Sequence, residues 1–240
     1  LLTTSGLHLD GLVTAEGRTF HWEGTYSGAM GEASTLNTEL NVFEAFDPEV
    51  PGAWTTPKVL FCANLHPALQ AKVLDQCTPT RLRMLDSMNL WIDIARPLLI
   101  DVLNRVDLVV LNDGEVRMLA DDANLVRAAQ WLHSELQPGS ILVVKRGEHG
   151  VLALHPSGLL HVPSVPSPGL VDPTGCGDSF AGTLAAHLSK GDGPVGRDEL
   201  RIGLEHAAVV ASYTLQGLGV TGLVAMEQND RAERLQALQA

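Results

Sequence analysis

The apolar positions of this chain follow two periodicities. Before about residue 50 they alternate. Beyond Lys58, short solid apolar runs trade places with stretches spaced three and four apart. In GLVTAEGRTFHWEGTYSG (11–28) the aromatic residues Phe20, Trp22 and Tyr26 alternate along an extended chain, and Gly17 reads as the turn of a hairpin. A hairpin with one apolar face needs something to cover. DPEVPGAWTTP (47–57) carries three prolines and reads as a connector. After it, VLFCA (59–63), RMLD (83–86), DLVVLN (107–112) and SILVVK (140–145) read as buried strands. HPALQAKVLDQC reads as a helix with Pro67 in a favourable first turn. Further helices are predicted over 95–105, 113–120 and 123–136, the last with an apolar stripe of Leu125, Ala128, Ala129, Leu132 and Leu136. GVLALH and GLLHVP (150–163) predict a late hairpin, and the chain from Gly175 onward is mainly helical. There is no internal repeat and no low-complexity tract.

Strands alternating with helices predict an α/β fold with three layers, a mainly parallel sheet covered on both faces. The expected division is a β-rich segment over 1–50 and the α/β domain over 51–240. In such sheets the ligand sits beyond the carboxyl ends of the strands. Topology alone therefore makes Asp86, Asn89, Asn112, Glu115 and Lys145 candidates.

Charge narrows the functional classes. Sixteen Lys and Arg face 28 Asp and Glu, a net charge of −12 with no basic run, which argues against general binding of nucleic acid or an anionic membrane surface. Backbone N–H groups can still hold a small anion. Cys62, Cys77 and Cys176 are odd in number and lack metal spacing, so a reducing compartment and a cytoplasmic location are expected. The apolar runs, such as 107–111 and 141–145, are far too short to span a bilayer. The opening LLTTSG has no methionine, basic n-region or cleavage pattern. It does not read as a signal peptide, and residues upstream of Leu1 are expected.

VDPTGCGDSF (171–180) concentrates the chemistry. Two glycines flank Cys176 at the mouth of an apolar helix in which Phe180, Leu184 and Leu188 share a face beside Ala181 and Ala185. The first N–H groups of a helix lack intrahelical acceptors, and the helix dipole favours negative charge there. A phosphoryl group approaching Gly175, Cys176 and Gly177 would have its developing charge stabilised by their amides. Asp178, in the first turn, could take a proton from an attacking hydroxyl. Taken alone, a Gly-x-Gly-Asp string is more often a helix cap, because the dipole favours an aspartate there whether or not it reacts.

The longer string D-P-T-G-C-G-D-S-F-A-G (172–182) resembles the carboxyl-terminal signature of the ribokinase-like (phosphofructokinase-B) carbohydrate kinases. Asp172, Thr174, Gly175, Gly177, Asp178 and Phe180 match, and Cys176 stands where that family often has alanine. LNDGEVRML resembles the family's Asn-x-x-Glu motif through Asn112 and Glu115. VVKRGEHGVLAL is similar to the turn that follows it, with Gly147 and Gly150. Order and spacing agree over roughly 58 to 222.

The resemblance implies transfer of the ATP γ-phosphate to a hydroxyl of a small sugar or related metabolite. Asp178 would be the base, and Gly175, Cys176 and Gly177 the anion hole. Asn112 and Glu115 would organise Mg²⁺ through its waters, as suits a hard oxygen donor. Thr174, Gly147 and Gly150 would approach the nucleotide, and Gly217 and Gly219 of GLGVTG would lie near the adenine. Lys145 would face the phosphates, although a strand-end lysine more often points to solvent. Asp86 and Asn89 would reach the acceptor, and a solvated loop is the competing reading. ATP and Mg²⁺ are the implied cofactors, with a monovalent cation as a further candidate. The early hairpin would be a lid that closes over the acceptor or pairs with a second subunit in a homodimer. The alternatives are a nucleoside acceptor, or a non-catalytic relative that only binds nucleotide. The family's amino-terminal Gly-Gly motif and acceptor-binding aspartate have no counterpart in this sequence, which again predicts upstream residues. A P-loop is excluded by the lack of its motif, and GLGVTG stands too near the end of the sequence for a dinucleotide fold. The histidines have no metal spacing.

Overall fold

The computed structural model describes residues 2–28, 33–167 and 169–240. Two sheets form. A small antiparallel one pairs β1 (His21–Tyr26) with β2 (Ala33–Glu39). In the larger sheet β3 (Val59–Cys62), β4 (Leu82–Asp86), β5 (Leu108–Asn112) and β6 (Ile141–Lys145) lie parallel and side by side in chain order. The antiparallel hairpin of β7 (Val151–His155) and β8 (Gly158–Val162) completes it.

A parallel sheet that grows in one direction through right-handed crossovers places every crossover helix on the same face. Those helices are α1 (Pro67–Gln76), α2 (Asn89–Leu103), α3 (Asp113–Ala120) and α4 (Leu125–Glu135). They bury Leu74, Leu99, Val116 and Leu132 against Leu85, Val109, Leu111, Leu142 and Val144 of the strands. The opposite face must then be covered from elsewhere in the chain. α5 (Cys176–Leu188) and α6 (Arg197–Thr214) do so, packing Phe180, Leu184 and Leu204 on Met84, Leu108, Val110, Ile141 and Val143. Successive strand residues thus point to opposite cores, which explains the continuous apolar runs of β5 and β6. Each such buried side chain contributes about 1.5–3 kcal/mol. Beyond α6, the short α7 (Thr221–Val224) leads to α8 (Gln228–Gln239). The α8 residue Arg234 lies over the Tyr213 ring, 3.7 Å from its centroid.

Three sequence readings are corrected. Gly17 is not the hairpin turn: β1 begins only at His21, and its partner β2 follows a connection through 27–32, of which 29–32 lie outside the described residues. The helix expected over 95–105 begins earlier, at Asn89. Ala95, at φ −140°, breaks it into two pieces, and Pro97 falls in the first turn of the second piece, where its missing N–H is harmless. Asn89 is therefore a helix-starting residue rather than part of a solvated loop.

The far end of α5 is tied across the sheet. The buried guanidinium of Arg81, just before β4, donates to the carbonyls of Leu188 and Gly193 and to Glu199 Oε2. The carboxyl end of the helix that begins at the glycine turn is thereby held.

Candidate active site

The strand ends converge as the topology demands. Asp86 closes β4, Asn112 closes β5 and Lys145 closes β6. Asp86 is buried; its Oδ1 accepts the Ser87 N–H at 2.8 Å, and its Oδ2 lies 3.4 Å from Lys145 Nζ. Burial pushes the Asp86 carboxyl above the usual range, the Lys145 ammonium and the Ser87 N–H pull it back, and the charge of Asp178 pushes it up again. Lys145 does not point to solvent. Its Nζ lies 3.0 Å from where a β-carbon on Gly177 would sit, directly over the glycine turn.

Asn112 caps α3. Its Oδ1 accepts the Glu115 N–H at 2.8 Å, and Glu115 Oε2 accepts the Asn112 N–H at 2.7 Å. This capping box accounts for both residues locally and also fixes the buried Glu115 at the mouth of the sheet.

The turn before α5 is built from several short links. The N–H groups of Val171 and Asp172 donate to the Leu215 carbonyl, which anchors the segment to the end of α6. Asp172 Oδ1 accepts the Thr174 N–H at 2.9 Å. Gly175 then takes φ +84°, a left-handed conformation that favours glycine, and α5 begins. The Cys176 N–H turns back to the Pro173 carbonyl at 3.1 Å, so it closes the turn instead of facing a ligand. The expected anion hole is corrected accordingly. Among the described residues, the N–H groups of Gly175, Gly177 and Asp178 have no protein acceptor. The Cys176 thiol is pushed up to about 11, first by burial and then by the charges of Asp172 and Asp178. That shift disfavours the thiolate, the form in which a cysteine attacks.

These elements border a cleft of about 870 Å³. Of the expected residues, Asn89, Asn112, Glu115, Lys145, Gly147, Gly150, Cys176 and Gly177 line it. Asp86 lies beneath it, held by Lys145. Asp178 is exposed just beyond Gly177 and does not line the cavity itself. Gly217 and Gly219 do not line it either; Leu215, just before them, takes that place. The small sheet faces the cleft with Trp22, Tyr26 and Thr35, and the Tyr26 hydroxyl lies 3.1 Å from Thr174 Oγ1. The sequence reading missed that link, the Ser164–Ser167 loop, and the α6 wall of Ala208 and Ser212. On α6 the lining positions share the spacing of a helix's ordinary core stripe, so no sequence signal separates them.

A family model described as pfkB family carbohydrate kinase matches residues 53–222. The chain is 28% identical to a cytidine kinase of Thermococcus kodakarensis over 213 residues, 86% of this chain and 74% of that protein. It is 37% identical to the bifunctional protein HldE of Pseudomonas paraeruginosa over 118 residues, 49% of this chain but only 23% of HldE. Among solved structures, a fructokinase from Vibrio cholerae O395 with bound fructose, ADP and calcium ion superposes at a TM-score of 0.78 with 17% identity, covering 98% of this chain and 79% of that one. Among the described residues no helix is long and apolar enough to cross a membrane.

Proposed function

Because the chain belongs to the pfkB family of carbohydrate kinases, we propose that it transfers the γ-phosphoryl group of ATP to a hydroxyl of a small sugar. One observation carries the reading: Gly177, whose N–H has no protein acceptor, lines the same cleft as Lys145, and the Lys145 ammonium lies directly over it. That arrangement is a fixed cluster of positive potential, suited to the charge that develops on a phosphoryl group in flight.

On this reading each group has its own task. Asp178 accepts the proton of the acceptor hydroxyl as its oxygen bonds to phosphorus and the bond to the leaving ADP oxygen breaks. Gly175 and Gly177 present their N–H groups to the phosphoryl oxygens. Lys145, held by Asp86, adds a charge to the same point. ATP supplies the phosphoryl group. Among the described residues no cluster of three His, Cys, Asp or Glu could cage a metal. A Mg²⁺ ion that keeps most of its waters still fits a cleft that offers the carboxylates of Asp113, Glu115 and Glu148 without gathering them into a cage. Glu115, oriented by Asn112, would hold it through water. The small sheet acts as a lid, with Tyr26 fastening it near the turn and excluding water from the transfer.

A nucleoside acceptor is the second reading. It is favoured by the aromatic wall of Trp22 and Tyr26, which offers flat faces to a base, and by the likeness to a cytidine kinase. A panel of sugars and nucleosides, assayed for ATP consumption and for the phosphorylated product, decides between the two. Consumption of ATP with no acceptor phosphorylated would contradict both.

A further inference from the structure

A second cavity, of about 500 Å³, opens on the other side of α5, among α5, α6, α7 and α8. It is basic in an acidic protein. His187 and Lys190 come from the end of α5, His206 from α6, and Arg231 from α8. The dipole of α5 accounts for His187 and Lys190, which sit near its carboxyl end. It does not account for His206 and Arg231.

Most cations of this chain are spoken for by carboxylates. Of the others, Arg96 and Arg197 donate to backbone carbonyls, and Arg234 donates to Ser212 and Gln216. Among the described residues the side chains of Arg146, Lys190 and Arg231 have no oxygen partner, although the chain carries 28 acidic residues; Arg146 lines the catalytic cleft, and the other two share this second cavity. Two of the nearby acids are engaged elsewhere, Glu199 with Arg81 and Glu205 with Arg201 and Gln239, while Glu227 and Asp230 stand beside Arg231 on its own helix without pairing with it. Lys190 is exposed and Arg231 half-buried, so water can serve both; what points to an anion is their gathering with two imidazoles around one cavity, which gives it a positive field.

The imidazoles are placed to join them. His187 and His206 stack with centroids 5.4 Å apart, and His187 lies across Gly203, where a β-carbon would come within 3.0 Å of its ring. An Arg231 N–H donates to His206 Nδ1 at 3.3 Å, and since arginine can only donate, the His206 proton sits on Nε2. The floor is apolar, made by Val210, Leu223 and Met226, and the Thr183 hydroxyl stands at the side. The cavity therefore has a charged end and a greasy end.

We propose that this cavity binds a phosphate monoester, with the dianion between Lys190, Arg231 and the two imidazoles and the small organic body on the apolar floor. The site is distinct from the catalytic cleft. Gly177 and His187 lie about 15 Å apart along α5.

Proton linkage supplies a signature. Burial lowers the His187 pKa, with Lys190 and Arg81 adding to the effect and Glu199 opposing it. Burial likewise lowers that of His206, with Arg231, His187 and Lys190 adding and Glu205 opposing. A bound dianion reverses the sign of the local field, so binding takes up protons and tightens as pH falls from about 8 to about 6.5.

The probe is phenyl phosphate, followed through the imidazole NMR signals of the intact protein, with His187→Gln and His206→Gln used for assignment. At millimolar phenyl phosphate both signals are expected to shift and both pKa values to rise. Lys190→Gln with Arg231→Gln is expected to weaken binding about tenfold or more. Binding at the catalytic cleft would leave these imidazoles unmoved, so the result is independent of the kinase reading. Imidazole signals and pKa values insensitive to phenyl phosphate would overturn the proposal. So would unchanged affinity in the double variant. Should that variant fail to fold, the titration of the unmodified protein decides alone.

Discussion

Asp86 and Lys145 show how a buried charge is kept for a purpose. A carboxylate under the sheet edge is costly unless a cation stands beside it, and removing one partner leaves the other exposed to that cost. Lys145→Met should therefore raise the Asp86 pKa further. A carboxyl whose folded pKa lies above its unfolded value favours the native state at low pH and loses that contribution as pH rises through the folded pKa. In the variant this loss should reach to higher pH than in the parent, which melting curves across the acid-to-neutral range would show. Parallel curves would contradict the pairing. Cys176 gives the opposite lesson. Its thiol is pushed up to about 11 and its amide is turned to Pro173, so the proposed transfer gives neither group a task. Cys176→Ala should keep turnover within about twofold, on the scale of a neutral substitution. The thiol should alkylate slowly at neutral pH. Fast alkylation, or a large loss of turnover, would show that the side chain matters.

Among the elements, what the sequence disclosed divides along physical lines. The strands β3 to β6 were legible because burial on both faces leaves an unbroken apolar run, and α3 because Asn112 and Glu115 announce its capped start. The start of α2 was not, since Pro97 masks the turn that precedes it. The hairpin turn was misplaced because Gly17 is the more obvious break, while the true connection lies after Tyr26. Lys145 was ambiguous for a simple reason: its direction is set by Asp86, a residue far away in the chain. The Tyr26–Thr174 contact is likewise invisible to local pattern. It predicts that Tyr26→Phe loosens the lid, raising KM for the acceptor several-fold while leaving the ATP site unchanged, because a single hydroxyl hydrogen bond is worth about 0.5–1.5 kcal/mol. Steady-state kinetics with both substrates varied would measure it, and unchanged KM would remove the latch from the account.

Taken whole, the molecule places a cleft of about 870 Å³ at the carboxyl ends of a one-directional sheet and borders it with a hairpin whose outer side is bare. Leu36, next to the cleft-facing Thr35, is 63% exposed. This predicts a homodimer through the hairpin, with Leu36→Glu shifting sedimentation to the monomer. A protein that is monomeric at every concentration would refute it. The central claim is phosphoryl transfer at the α5 turn, and Asp178 tests it most directly. Turnover of the best acceptor should be compared between the parent and Asp178→Asn, with ATP affinity measured in parallel. The account predicts a fall of about 10²–10⁴-fold in turnover, the scale of losing a general base, with ATP affinity retained. Near-parental turnover in Asp178→Asn would contradict it.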